Sequence, residues 1–485
     1  MNSIKYLLVL LLATLTLTTL AQIKLPKVIG SNMVLQRNQP VPIWGWASPG
    51  KMVKITFGNQ SKTTKANNAG YWKITLTALA ANSKPQELLI TSDTSTLKLS
   101  NILVGEVWLC SGQSNMEYTM KLMKGYTKPA KGIDSTELEL AVTNPTIRLF
   151  KVEKKLSLPD VTTNGWHESG GEALEQISAA GYYFAKNLQA KLQVPIGIIS
   201  SSWGGSRIEP WTPPSGYAAL PAFAEEAAHD TLKIDGVIPG SMYKSMIEPL
   251  APFALHGFLW YQGESNCMMN EPGMRYADKM QALVDSWRKQ WGNAKMPFYS
   301  VLIAPYYYTK RKDKVPHTTE TLPLFWEQQV QSARIPFTDF ITVTDLVDDL
   351  PNIHPSYKWE VGRRLALVAL AKDYGFKATT YSGPVYQRMQ VKNNQVILTF
   401  ANAAGLKTAD QHSPAFFTIA GADGQFVDAD AKISGNTIIL SSPAVSKPTT
   451  ARFAWTEIAR PNLVNEAGLP AVPFRTNGLE WEYKK

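Results

Sequence analysis

Asn101–Glu117, NILVGEVWLCSGQSNME, is the stretch whose reading decides the fold. Its apolar run, Ile102-Leu103-Val104 and then Val107-Trp108-Leu109, reads as a buried strand. The run ends in Ser111-Gly112-Gln113-Ser114-Asn115, small and polar, and continues without a helix breaker. A strand that stops beside a glycine and passes straight into a helix sets a hydroxyl at the C-terminal edge of a sheet. The first N–H groups of that helix then face any oxyanion that develops there. Ser114 is therefore the candidate nucleophile. The G-x-S-x-G spacing of a nucleophile elbow is absent, and by itself the stretch reads equally well as an ordinary strand-to-helix loop.

Outward from this point the chain alternates. Apolar segments at Ile102–Leu109, Ile196–Ser201, Leu255–Tyr261, Phe298–Ala304 and Phe340–Thr344 are separated by helical patterns. The helices are expected over Leu174–Leu192, Met274–Trp291, Leu322–Ser332 and Ser356–Tyr374. Strands that are apolar on both faces, joined by helical crossovers, predict a parallel sheet in a three-layer α/β domain over residues 99–381. Functional residues should then gather at the C-terminal ends of the strands. Before this region, Lys51–Phe57, Tyr71–Leu76 and Glu87–Thr91 have period-2 patterns between Asn- and Gly-containing turns, which predicts a β-sandwich-like domain over 22–98. After it, strands are expected at Val385–Val391, Gln395–Ala401, Ala415–Ile419, Thr437–Leu440 and Ala451–Phe453, giving a second small β domain over 382–485.

At 485 residues, with 44% hydrophobic and 18% charged side chains, the chain has room for two or three globular domains. The formal charge of +10 is diffuse. The one basic run with aromatics, YYYTKRKDK at Tyr306–Lys314, reads as a solvated loop, and no nucleic-acid partner is expected. Residues 1–21 have the plan of a secretory signal peptide: Lys5, an apolar run from Tyr6 to Thr18, and Thr19-Leu20-Ala21 before Gln22. Cleavage near Ala21 would give an exported protein of the periplasm or medium with no stable membrane insertion. In an oxidising compartment Cys110 and Cys267 could form a disulfide; two buried free thiols are the competing reading. No Cys/His cluster has zinc-ligand spacing.

Of the six histidines, His354 suits the base that Ser114 needs, because it stands at the sheet rim just before a helix. His256 sits in an apolar strand and reads as a satisfied core histidine. Gly204-Gly205, after the strand GIISS, lets backbone approach a ligand and could add oxyanion donors to the Ser114 N–H. Arg207, Glu209 and Glu264 either order this rim or meet substrate. Trp203, Trp211, Trp260 and Tyr261 are split between core and a sugar-stacking wall.

GQSNM at 112–116, SSWGGSRIEPW at 201–211, WYQGESN at 260–266 and NIHPSYKWEVGRRLA at 352–366 occur in the order that marks a family. Together they resemble the sialate O-acetylesterase-like family of SGNH-type carbohydrate esterases, from about Leu25 to the C-terminus. The resemblance implies an SGNH-hydrolase-like core with flanking β domains, and the family's catalytic serine and histidine fall on Ser114 and His354. It also implies that Gln262 donates to the oxyanion, as an asparagine does in other SGNH-type enzymes. Such enzymes commonly carry an aspartate three residues before the histidine; here that position is Pro351. Asp345, Asp348 and Asp349 are nearby, Asp349 being slightly favoured, and a Ser–His dyad is the alternative.

The expected activity is a serine-dependent carbohydrate O-acetylesterase, foremost on sialate esters, with an acetylated carbohydrate as partner and no metal or organic cofactor. Substrate contacts are expected from Arg207, Glu264 and Trp203. Acetylxylan or another hemicellulose ester is an alternative substrate. The rival classes are a lipase-like or thioesterase hydrolase, and a non-catalytic carbohydrate-binding protein on a degenerate core. Oligomeric state is left open.

Overall fold

The β-branched and aromatic run Ile102–Leu109 lies at the heart of one long strand, β1 (Ser95–Gly112). A computed structural model of the chain describes residues 22–93, 95–125, 136–269, 275–312 and 315–478. The expected leader lies outside the described residues. Among those described, no helix is long and apolar enough to cross a membrane.

Strands β2 (Asn144–Lys151), β3 (Trp166–Ser169), β4 (Ile196–Ser202), β5 (Gly257–Tyr261), β6 (Phe298–Val301) and β7 (Thr338–Ile341) build the central sheet with β1. Its order is β7-β6-β5-β1-β4-β2-β3. Every neighbouring pair is parallel except the last, in which β3 runs antiparallel to β2. The all-parallel expectation is thus corrected at one edge, where a short connection returns the chain beside β2 instead of crossing over a helix.

Alternate strand residues face opposite layers. Trp108, Cys110, Ile198, Leu259 and Tyr261 pack with α2 (Ala179–Leu192) and α6 (Lys358–Lys372). Leu109, Ile199, Phe258 and Trp260 pack on the other side with α4 (Tyr276–Trp291) and α5 (Thr321–Gln331). Trp108, Trp260, Trp287 and Trp326 are fully buried, and each contributes on the order of 2–3 kcal/mol through the apolar area it removes from water. Cys110 on β1 and Cys267 on the helix Glu264–Met269 lie in different core layers, and both are free thiols.

The N-terminal strands are not a detached unit. β1 runs unbroken through residues 98 and 99 and pairs with Val34–Gln36 and Asn82–Ser92 in its first half. At the other end, smaller antiparallel sheets from Val385 onward are tied to the α/β layers by Arg452 on Glu320 and Arg475 on Glu327.

Candidate active site

Gly112 ends β1 at φ +138°, and a Cβ there would lie 2.1 Å from the Tyr261 carbonyl oxygen of β5. Only glycine lets the two backbones come this close. Gln113 is still extended, and Ser114 opens the short helix α1 (Ser114–Glu117). The N–H groups of such a first turn have no intrahelical acceptor. His354 reaches the same rim from the loop before α6, its backbone N–H held by Asn352 Oδ1 at 2.9 Å. Its Nε2 lies 2.9 Å from Ser114 Oγ. Ser114, Glu117, Tyr118, Thr119, Leu122 and His354 line a recess of about 210 Å³.

Behind the serine, Asn115 is fully buried. Its Nδ2 donates to Glu264 Oε1 and, at 3.1 Å, to the Ile353 carbonyl, while its Oδ1 accepts from Lys358 Nζ at 2.6 Å. One amide therefore joins the Ser114 helix to the peptide preceding His354. Lys358 is also fully buried, and burial pulls its ammonium down to about 7, with Glu264 acting in the opposite direction. Burial raises the Glu264 carboxyl, against its backbone, Asn115 and Lys358 partners. His354 is held below its ordinary value, first by burial and then by the Lys358 charge. A neutral imidazole facing a serine hydroxyl is the state a general base requires.

A family model described as carbohydrate esterase, sialic acid-specific acetylesterase matches residues 104–371. The chain belongs to this carbohydrate esterase family. The sialate O-acetylesterase of Homo sapiens is 28% identical over 406 residues, spanning 76% of this chain and 75% of its own. That of Rattus norvegicus is 27% identical over 494 residues, spanning 88% of each. The crystal structure of a carbohydrate acetylesterase from Xanthomonas citri is 33% identical, with a TM-score of 0.82 over 94% of this chain and 99% of the other. The protein is accordingly a carboxylic ester hydrolase of the carbohydrate esterase class.

In this carbohydrate esterase several expected site residues occupy other positions. Asp349 is exposed, and among the described residues no aspartate meets the His354 imidazole. Asp345 is paired with Arg364, and Asp348 accepts from Tyr357. The turn that Pro351 and Asn352 form brings an amide to the histidine backbone where other enzymes bring a carboxylate to its ring.

Gln262 is buried beneath the rim. Its Nε2 is occupied by Asn266 Oδ1 at 2.8 Å and by Gln113 Oε1 and the Ser206 carbonyl at 3.1 Å each, which leaves no proton for a substrate oxygen. Gly204 abuts Ser114, but its N–H is taken by Glu117 Oε2 at 2.6 Å. Gly205, at φ +73°, is exposed and has no protein acceptor for its N–H among the described residues.

The three expected substrate contacts also change character. Arg207 is ion-paired with buried Glu209 at 2.9 Å, Glu264 lies beneath Asn115, and Trp203 packs on the core edge. Trp211, Trp260 and Tyr261 are core. The aromatic ring in the recess is Tyr118, 6.5 Å from the His354 ring.

Sequence reasoning missed Gln113, Asn115, Glu117 and Lys358. The first three flank the serine inside its own motif. Lys358 carried a signal, a cation in the first turn of a helix, where the dipole opposes it. Among the described residues no group of three His, Cys, Asp or Glu side chains could hold a metal ion.

Proposed function

We propose that this chain is a serine-dependent O-acetylesterase of glycans working through a Ser114–His354 dyad. The 2.9 Å contact between Ser114 Oγ and His354 Nε2 carries the reading. His354 takes the hydroxyl proton as Oγ attacks the acetyl carbonyl, then delivers it to the sugar oxygen that leaves. Water, deprotonated by the same imidazole, releases acetate from the acyl-enzyme. The oxyanion is held by the N–H groups of Ser114 and Gly205. A third donor is the Gln113 amide, whose Oε1 is held by Gln262 Nε2 and the N–H groups of Gly263 and Ser265, leaving Nε2 unspent. Among the described residues no carboxylate meets the imidazole; the Asn352 turn and the Asn115 bond to Ile353 orient it through the backbone.

Acetate release from 9-O-acetylated sialoside, acetylated xylan and an aryl acetate tests this. Ser114→Ala and His354→Ala should each lose at least about 10²-fold in rate. Full activity in Ser114→Ala would sink the mechanism.

The chain is further read as exported after removal of residues 1–21, with working units at 22–98 and 99–381 that share strand β1 and a third at 382–485. The protein should be recovered from the periplasm or medium with an N-terminus near Gln22; retention in the cytoplasm with Met1 intact would refute export.

A further inference from the structure

A second recess, about 320 Å³ in volume, lies beside the first, and the proposed hydrolysis leaves it unused. Its floor is Leu149 and Ile177, and Lys151, Glu153, Asn164 and Gln176 stand around it. Two contacts make a common wall with the Ser114 recess. Lys154, which follows Glu153, is ion-paired with Glu117 at 2.7 Å. Met120, which follows Thr119, donates its N–H to the Ile177 carbonyl at 3.2 Å. Glu117 and Thr119 line the first recess, whereas Glu153 and Ile177 line the second. These contacts, with the Ala179 N–H on the Tyr118 carbonyl at 2.8 Å, set the two hollows against each other.

Size and chemistry suit a sugar ring. The Ser114 recess, about 210 Å³, is smaller than the roughly 300 Å³ at which ligand sites begin. It accommodates the acetyl end of a substrate, and the rest of a glycan must lie beyond it. The second recess offers amide donors and acceptors around an apolar floor, the arrangement that meets a pyranose's hydroxyl edge and C–H face. Its lining offers an anion no excess of positive charge. Two basic side chains, Lys151 and His167, stand against two carboxylates, Glu153 and Glu172, with Lys151 3.6 Å from Glu153. Charged groups arranged without such an excess give an anionic partner no electrostatic complement.

We infer that this recess is a subsite for an uncharged sugar residue next to the acetylated one, so that the substrate class is a neutral acetylated oligosaccharide. This rests on the esterase reading above.

The test compares wild type with an Asn164→Ala/Gln176→Ala double variant on acetylated xylotetraose and on 4-nitrophenyl acetate. The ratio of the two kcat/KM values should fall at least about 10-fold in the variant, chiefly through KM on the oligosaccharide. A ratio within about twofold of wild type overturns the subsite. A second arm titrates Ser114→Ala protein with deacetylated xylotetraose and with sialyllactose by calorimetry. Xylotetraose should bind, should bind more tightly than sialyllactose, and should be lost when Asn164→Ala/Gln176→Ala is added. Tighter sialyllactose, or no xylotetraose binding, overturns the inference. If wild type cleaves no ester, it is the esterase reading that fails, and the titration alone decides the subsite.

Discussion

In the proposed mechanism Asn115 positions His354 through the backbone, where related enzymes use an aspartate on the ring. It holds the carbonyl before His354 and is itself held from both sides by Lys358 and Glu264. Asn115→Ala should lower kcat by about 10-fold or more with a smaller effect on KM, because misplaced general bases cost transition-state rather than ground-state binding. Lys358 contributes charge as well. A nearby ammonium disfavours imidazolium, so Lys358→Met should raise the His354 value. Since the base must be neutral, the acid limb of kcat/KM should move to higher pH. A pH–rate profile of both proteins checks the sign, and an unmoved limb removes Lys358 from the electrostatics of the site. The Ser114–His354 contact was anticipated from the four ordered motifs more than from either stretch alone. The inward donation of the Gln262 amide was not, because its position in the sequence marks a strand end but carries no record of what covers it.

Elements meet at places where one atom decides the spacing. Gly112→Ala would set a Cβ against the Tyr261 carbonyl, and separating β1 from β5 should cost about 3 kcal/mol, measured by urea unfolding. Beneath the rim, Lys279 is fully buried between Glu209 at 2.7 Å and Asp235 at 2.5 Å. Lys279→Met leaves buried carboxylate short of a cation and should destabilise by about 3 kcal/mol. It should also loosen Asn266, whose Nδ2 donates to Glu209. The core strands β1, β4, β5, β6 and β7 were readable as apolar runs. β2 was not. Its NPTIRLFK contains Arg148, which is buried and spends its protons on the carbonyls of Pro145, Asn32 and Asn101, on Asn101 Oδ1 and on Glu168 at 3.4 Å. No periodicity announces a charge whose partners come from elsewhere in the chain.

Across the whole molecule, the pole of the sheet opposite the candidate site is held by ions. His256 Nδ1 lies 3.0 Å from Glu106, and its Nε2 lies 3.8 Å from Asp373. Burial opposes the imidazolium, but the two carboxylates overcome it and raise His256 to about 9. A group raised on folding stabilises fully below its unfolded value of about 6.5, and that contribution is lost as pH rises through the folded one. Thermal stability should therefore fall between about pH 6.5 and 9, and His256→Phe should flatten this part of the curve. A wild-type Tm that rises over the same interval would show the histidine to be neutral.

Composition, strand periodicity and four ordered motifs were enough to determine an α/β carbohydrate esterase with β-rich flanks and a Ser114–His354 pair. The strand runs and motifs are local, each a run of side chains whose neighbours in sequence are also its neighbours in space; the Ser114–His354 pair, 240 residues apart, was anticipated through the family resemblance. Tertiary structure alone decided that β1 is continuous with the N-terminal strands, that the two cysteines belong to separate core layers, and that Gln262 is spent inside the protein. It also decided that an amide with a buried lysine and glutamate stands behind the histidine. The last two depend on polar partners more than a hundred residues apart, Gln113 with Gln262 and Asn115 with Glu264, Ile353 and Lys358, and hydrogen-bond satisfaction in a buried network is settled only when the layers close.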